Sequence, residues 1–272
     1  MITSENNAKL KEMIKLQKNA RYRKKEGMFV AEGIKLVKEA ARYGKLRQVL
    51  IRESLWITKW QEKPESEIAV EFSGKERHVG VDVVPDDLFE QVADTVTPQG
   101  ILGMVDMPSY SLEVILDRPA KLYLLLDDLR DPGNLGTMIR TAEAAGVAGV
   151  IMSKGTVDLF NPKVVRATMG AIFRVPFLYV DSLSETIRQM KQKDISAYGT
   201  VLEESRAYDT PDYTRPSAVV VGNEANGISR EVQESLSGRI HIPMEGSVES
   251  LNAAVAAAVV LYEASRQRRK TD

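Results

Sequence analysis

Asn134 and Arg140 are the residues of this chain best placed to do chemistry, within Asp131-Pro132-Gly133-Asn134-Leu135-Gly136-Thr137-Met138-Ile139-Arg140-Thr141-Ala142. Arg140 stands among Met138, Ile139, Ala142 and Ala145. One turn before it, Gly136 has no side chain to fill the space in front of the guanidinium. Plainer readings fit the same residues: Asn134 is a favoured N-cap type, and Arg140 can reach solvent or pair with Glu143. The loop holds neither G-x-G-x-x-G nor G-x-x-x-x-G-K-[ST], so a dinucleotide or nucleoside-triphosphate site has no support there. Spacing alone leaves the loop undecided.

The elements that must position these residues form a strand, a polar loop and a helix. Leu122–Leu126 is a short apolar run suited to a strand buried on both faces of a parallel sheet. Asp127 and Asp128 end it, residues 131–134 make a turn, and residues 135–145 are rich in helix formers closed by Gly146. In open α/β sheets, ligands bind at the carboxyl ends of strands, where a helix N-terminus offers free N–H groups to an anion.

The remainder of the chain reads as two α/β regions. Residues 4–18 read as a helix with Leu10, Met13, Ile14 and Gln17 on its less polar side. Arg21, Arg23, Lys24 and Lys25 follow in a polar segment with Tyr22, a mixture of cations and an aromatic ring suited to RNA backbone and base stacking. Strands are expected at 28–31, 48–51, 68–72, 79–84 and 100–105 and helices at 33–43 and 86–92, which makes residues 1–106 a compact α/β domain. Residues 107–119, with two prolines, are the expected linker. From 120 to 272, strands at 122–126, 148–152, 195–200, 218–221 and 240–243 alternate with helices at 137–145, 162–169, 184–192, 230–235 and 251–266, a mostly parallel sheet with helices on both faces. Asn161 and Pro162 mark an N-cap and a first helical residue, with Lys163 and Arg166 as phosphate contacts or, equally, solvent-facing cations.

Composition narrows the class. With 272 residues, 43% hydrophobic and 28% charged, the chain fits one large or two modest globular domains. No apolar run approaches a membrane span, and residues 1–16 are too polar for a secretory leader. With no cysteine and two distant histidines, His78 and His241, neither a disulfide nor a metal site is expected, and a cytoplasmic location is. His241, inside the apolar run 240–244, is expected in or near the core. The net charge of −1 hides an asymmetry: residues 1–50 carry thirteen Lys and Arg against five Glu, and Arg266, Arg268, Arg269 and Lys270 end the chain in a basic tail. That distribution fits an electrostatic footprint for phosphates, or a solvated helix face and a disordered tail.

The segment from Asp131 to Ala142 resembles the first signature of the SpoU (TrmH) family of RNA ribose 2′-O-methyltransferases. Val219-Val220-Val221-Gly222-Asn223-Glu224 with Gly227-Ile228-Ser229 resembles the second, and Ile242-Pro243-Met244 followed by Ser250-Leu251-Asn252-Ala253-Ala254-Val255-Ala256 the third. Where the family often has a second serine this chain has Ala254. The resemblance covers roughly residues 120–266, and a weaker one, best at Phe29-Val30-Ala31-Glu32-Gly33, reaches the N-terminal region. It implies a SPOUT-type parallel sheet with a deep C-terminal trefoil knot behind a small L30e-like substrate-binding domain. It also implies S-adenosylmethionine as cofactor, held by Thr200, Gly222, Ile242, Met244 and Leu251, mostly through backbone atoms. Asn134 and Arg140 would face the reacting ribose, with Glu224, Ser250 and Asn252 completing a metal-free site. Arg21, Arg23, Lys24, Lys163 and Arg166 would contact RNA, ribosomal rather than transfer RNA given the front domain, and the protein would be a homodimer. A catalytically silent RNA-binding or assembly protein is the alternative of a different class.

Overall fold

The computed structural model describes residues 1–63, 72, 79–119 and 121–269, which divide into two compact units. The first comprises Met1–Pro108 together with Asp158–Phe173, and the second Ser109–Val157 together with Arg174–Asp272.

The first unit is built on a four-stranded sheet of β1 (Met28–Glu32), β2 (Leu46–Arg52), β3 (Gly80–Val84) and β4 (Ile101–Asp106), in the order β1-β4-β2-β3. Only β2 and β3 run parallel. Its helices are α1 (Ala8–Lys18), α2 (Ala20–Glu26), α3 (Ile34–Arg42), α4 (Glu53–Lys59) and α5 (Asp86–Val92), with α8 (Pro162–Ala167) from the later segment. Leu10, Met13 and Leu16 of α1 and Leu88, Phe89 and Val92 of α5 share a core with Met28, Val30, Leu50 and Leu102. Phe29, pointing to the other face of β1, meets Phe160 and Phe173 at centroid distances of 5.0 and 6.2 Å.

The basic stretch expected as a polar segment is helix α2. Asn19 accepts from the Tyr22 amide at 3.0 Å at its start, and Gly27, with φ 63°, ends it in the left-handed conformation. Arg23 corrects the expectation of an RNA contact. It is buried, its Nη1 donates to the carbonyls of Leu16 and Gln17 at 2.7 and 2.9 Å, and its other nitrogens hold Asp158. Arg21 and Lys24 are exposed, whereas Tyr22 lies partly buried under Lys15. In the returning segment Lys163 is exposed, and Arg166 pairs with Asp94 at 2.8 Å and Glu32 at 3.6 Å. Of the strand expected at 68–72, all but Phe72 lies outside the described residues; Phe72 is helical and buried. His78 lies outside them too.

The second unit carries a seven-stranded, all-parallel sheet in the order β7-β6-β5-β10-β8-β11-β9. Its strands are β5 (Leu122–Leu126), β6 (Gly149–Ser153), β7 (Phe177–Val180), β8 (Ser196–Thr200), β9 (Arg206–Ala207), β10 (Ser217–Val221) and β11 (Gly238–His241). β5 and β10 are buried at every position, as strands covered on both faces must be. Tyr123, Leu125, Ala218 and Val220 pack on one face with α6 (Leu112–Leu116), α9 (Leu183–Gln192) and α10 (Arg230–Ser235). On the other, α7 (Pro132–Ala144) packs against α11 (Ala253–Arg269). Helix α6 lies within the expected linker, capped by Ser111, with Ile115 and Leu116 in the core. The sequence reading also missed β7 and β9, which form the two edges of the sheet.

Candidate active site

β5 and β10 are neighbours, and the loops at their carboxyl ends face each other where strand order switches direction. The β5 loop is tied down at each residue. The Asp127 amide donates to the Val221 carbonyl at 2.9 Å, and its buried carboxylate accepts from the Ser229 amide at 2.8 Å. Asp128 adopts φ 55°, its amide donating to Ser153 Oγ and its carbonyl accepting from Asn223 Nδ2, both at 2.8 Å. Asp131, not Asn134, is the N-cap of α7, accepting from the Asn134 amide at 2.7 Å ahead of Pro132.

That leaves the buried Asn134 side chain for other work. Its Nδ2 donates to Glu224 Oε1 at 2.9 Å, and its Oδ1 accepts from Asn252 Nδ2 at 2.9 Å. Glu224 also accepts from the amides of Arg130 and Asp131, both at 3.0 Å. Partial burial pushes the Glu224 carboxyl up; the bonds from Asn134 and the two amides more than reverse that and hold it below its ordinary range. Asn252 Oδ1 accepts from the amides of Ala254 and Val255 at 2.9 and 3.3 Å, so Asn252, and not Ser250, caps α11. Three loops thus converge on one carboxamide.

Arg140 and Ser250 are different. Both are exposed, and neither side chain has a hydrogen-bond or ion-pair partner among the described residues. Glu143, a possible partner of Arg140, instead pairs with Arg174 at 2.9 Å. Asp127 and Asn223, quoted in the sequence as the end of an apolar run and as part of the second signature but given no role there, prove to be the residues that tie the two loops together.

Beside the network lies a cavity of about 690 Å³ at the carboxyl ends of β8, β10 and β11. Thr200, Gly222, Ile242, Met244 and Leu251 all line it, with Glu224, Ser250 and Asn252. His241, expected in or near the core, also lines it, half-buried, its Nδ1 2.9 Å from Ser205 Oγ. Gly222 is obligatory, since a Cβ there would collide with the backbone of Gly227 and Ile228. Among the described residues the lining holds Glu203, Glu224 and Glu249 but no Lys or Arg. Such a wall suits a cationic adenosine derivative and opposes a di- or triphosphate, so these residues fit S-adenosylmethionine.

Residues 121–262 match the family described as SpoU rRNA Methylase family, and residues 7–103 match the MRM3-like substrate binding domain. The chain is 34% identical to the 23S rRNA (guanosine(2553)-2'-O)-methyltransferase RlmP of Bacillus subtilis over 96% of its own length and 97% of the relative's. It superposes on AviRb of Streptomyces viridochromogenes in complex with AdoMet with a TM-score of 0.84 and 29% identity, covering 97% of this chain and 99% of that one. An AdoMet-bound rRNA methyltransferase from Sinorhizobium meliloti gives a TM-score of 0.83 and 30% identity, with 97% of each chain covered. Signatures, fold and pocket agree, and the chain belongs to the SpoU rRNA methylase family.

Proposed function

We propose that this chain is an S-adenosylmethionine-dependent RNA 2′-O-ribose methyltransferase that acts on ribosomal RNA. The observation that carries the reading is the chain of hydrogen bonds from Asn252 through Asn134 to Glu224, closed on the amides of Arg130 and Asp131 beside the acid-lined cavity. Similar proteins named as 23S rRNA 2′-O-methyltransferases, and similar structures holding AdoMet, support it.

When bound, S-adenosylmethionine supplies a methyl group on a cationic sulfur. The protein must then hold the ribose 2′-hydroxyl in line and stabilise the negative charge that grows as its proton leaves. Glu224 is a scaffold group here: both oxygens are occupied and its basicity is lowered, which suits it to fixing loops rather than removing a proton. Arg140, which pairs with no carboxylate among the described residues, brings its guanidinium to the ribose. Ser250, whose hydroxyl has no partner among the described residues, stands at the cavity edge. In the first unit, Arg21, Lys24 and Lys163 are the exposed cations for RNA, with Arg166 reaching it while held by Glu32 and Asp94.

The reading includes a homodimer, supported by the exposed Val255 and Tyr262 two turns apart on α11. It includes a cytoplasmic location, in keeping with a chain that has no cysteine, to be checked by cell fractionation. It includes the trefoil knot, supported by family resemblance; an experimental Cα trace that shrinks to an unknotted line would refute it. Calorimetric titration with S-adenosylmethionine and NADH, followed by labelled methyl transfer to unmodified ribosomal and transfer RNA, tests the function. Binding of the first cofactor alone with transfer to a ribosomal 2′-hydroxyl is expected. Transfer to transfer RNA alone would change the substrate, and no transfer would leave a silent RNA-binding protein.

A further inference from the structure

We propose that Arg130 is a substrate-binding residue that grips a phosphate of the RNA strand beside the target ribose, and that Asp128 is the positioning residue that aims it. The inference rests on the methyltransferase reading. The Arg130 amide donates to Glu224 Oε2 at 3.0 Å, so its side chain springs from the edge of the candidate site. That side chain is 65% exposed, and among the described residues its one partner is Asp128, at 2.7 Å from Nη2. A guanidinium has five N–H donors, and those left over face solvent in the fork geometry that matches phosphate oxygens.

The partner carboxylate is held with more care than an ordinary surface pair receives. Asp128 sits in the left-handed region at φ 55°, which residues other than glycine seldom adopt and Asp adopts less reluctantly than most. Its amide is fixed by Ser153 Oγ and its carbonyl by Asn223 Nδ2. Its carboxylate occupies the space over Gly155, where any Cβ would collide with Oδ1. A surface ion pair contributes little to stability, so stability does not account for an acid fixed at both ends of its peptide and given a glycine floor. Holding one exposed arginine in one direction does.

Steady-state methylation of an unmodified ribosomal RNA fragment across a potassium chloride series tests this, using the full-length wild type, Arg130→Ala, Arg130→Lys and Asp128→Asn. Arg130→Ala should raise KM for RNA roughly tenfold, the scale of one lost charge-assisted hydrogen bond, with kcat and calorimetric cofactor affinity nearly unchanged. The slope of log(kcat/KM) against log salt should fall by about 0.7, the share of one phosphate contact on a single strand. Arg130→Lys should keep the slope and recover part of KM. Asp128→Asn should raise KM with the slope intact. An Arg130→Ala enzyme with unchanged KM and slope, or one that loses kcat and cofactor binding together, would overturn the proposal. A wild type that methylates no RNA would instead overturn the reading beneath it.

Discussion

Glu224 takes three hydrogen bonds from the β5 loop and α7, and its worth lies in what it holds rather than in what it could protonate. Glu224→Gln puts an N–H where one of those donors now points, and should cut methyl transfer by about two orders of magnitude, as a loosely held site would. The loss should show in single-turnover rates, with secondary structure by circular dichroism unchanged. Because folding depresses the Glu224 carboxyl, its contribution is present above the ordinary value of 4.5 and is lost as pH falls through the lower folded value. Near neutral pH the activity profile should therefore show no inflection from this group, and one that vanished in Glu224→Gln would refute the scaffold role. Arg140→Ala should abolish transfer while calorimetry still finds cofactor binding; retained turnover would remove Arg140 from the chemistry. Both residues were legible in the sequence because their types and order carry the signature. Arg23 was not: its burial depends on Asp158, far along the chain, and composition sees only another cation in a basic run.

At the scale of elements, Asn252 does two jobs with one carboxamide, its oxygen capping α11 and its nitrogen bonding Asn134. Asn252→Ala should lower stability by about 1 kcal/mol through the lost cap and should lose activity as well. Asn252→Asp keeps the cap acceptor but has no donor for Asn134, so the denaturation midpoint should hold while transfer falls; the two measurements together separate the jobs. Helices α5 and α10 were read at their observed limits, since each is a short run whose boundaries the neighbouring residues mark. α2 escaped because its seven residues are mostly charged and show no apolar period, although Asn19 and Gly27 flank it as caps. β7 and β9 escaped because edge strands of four and two residues carry too short a pattern to register.

For the whole molecule, the proposed dimer is open to direct test. Light scattering should give twice the 30.2 kDa chain mass, and Tyr262→Arg should shift it toward the monomer. Burial raises the Tyr213 phenol far above its usual range, with Tyr198 adding to the effect. Its hydroxyl donates to the Tyr208 carbonyl at 2.8 Å. A raised value stabilises the fold fully below the unfolded pKa of 10.0 and progressively less above it, so alkaline unfolding should begin near there and be delayed in Tyr213→Phe, as followed by circular dichroism. The return of Asp158–Phe173 to the first unit is the feature that no local pattern could announce. It makes the front half a module that the gene does not encode in one piece. A fragment ending at Pro108 would leave Phe29 without Phe160 and Phe173 and Arg23 without Asp158. Such a fragment should be insoluble or molten unless the missing peptide is supplied in trans. Replacing this half by a single crossover near residue 108 should fail for the same reason, since an exchange has to move two separated stretches of this chain at once.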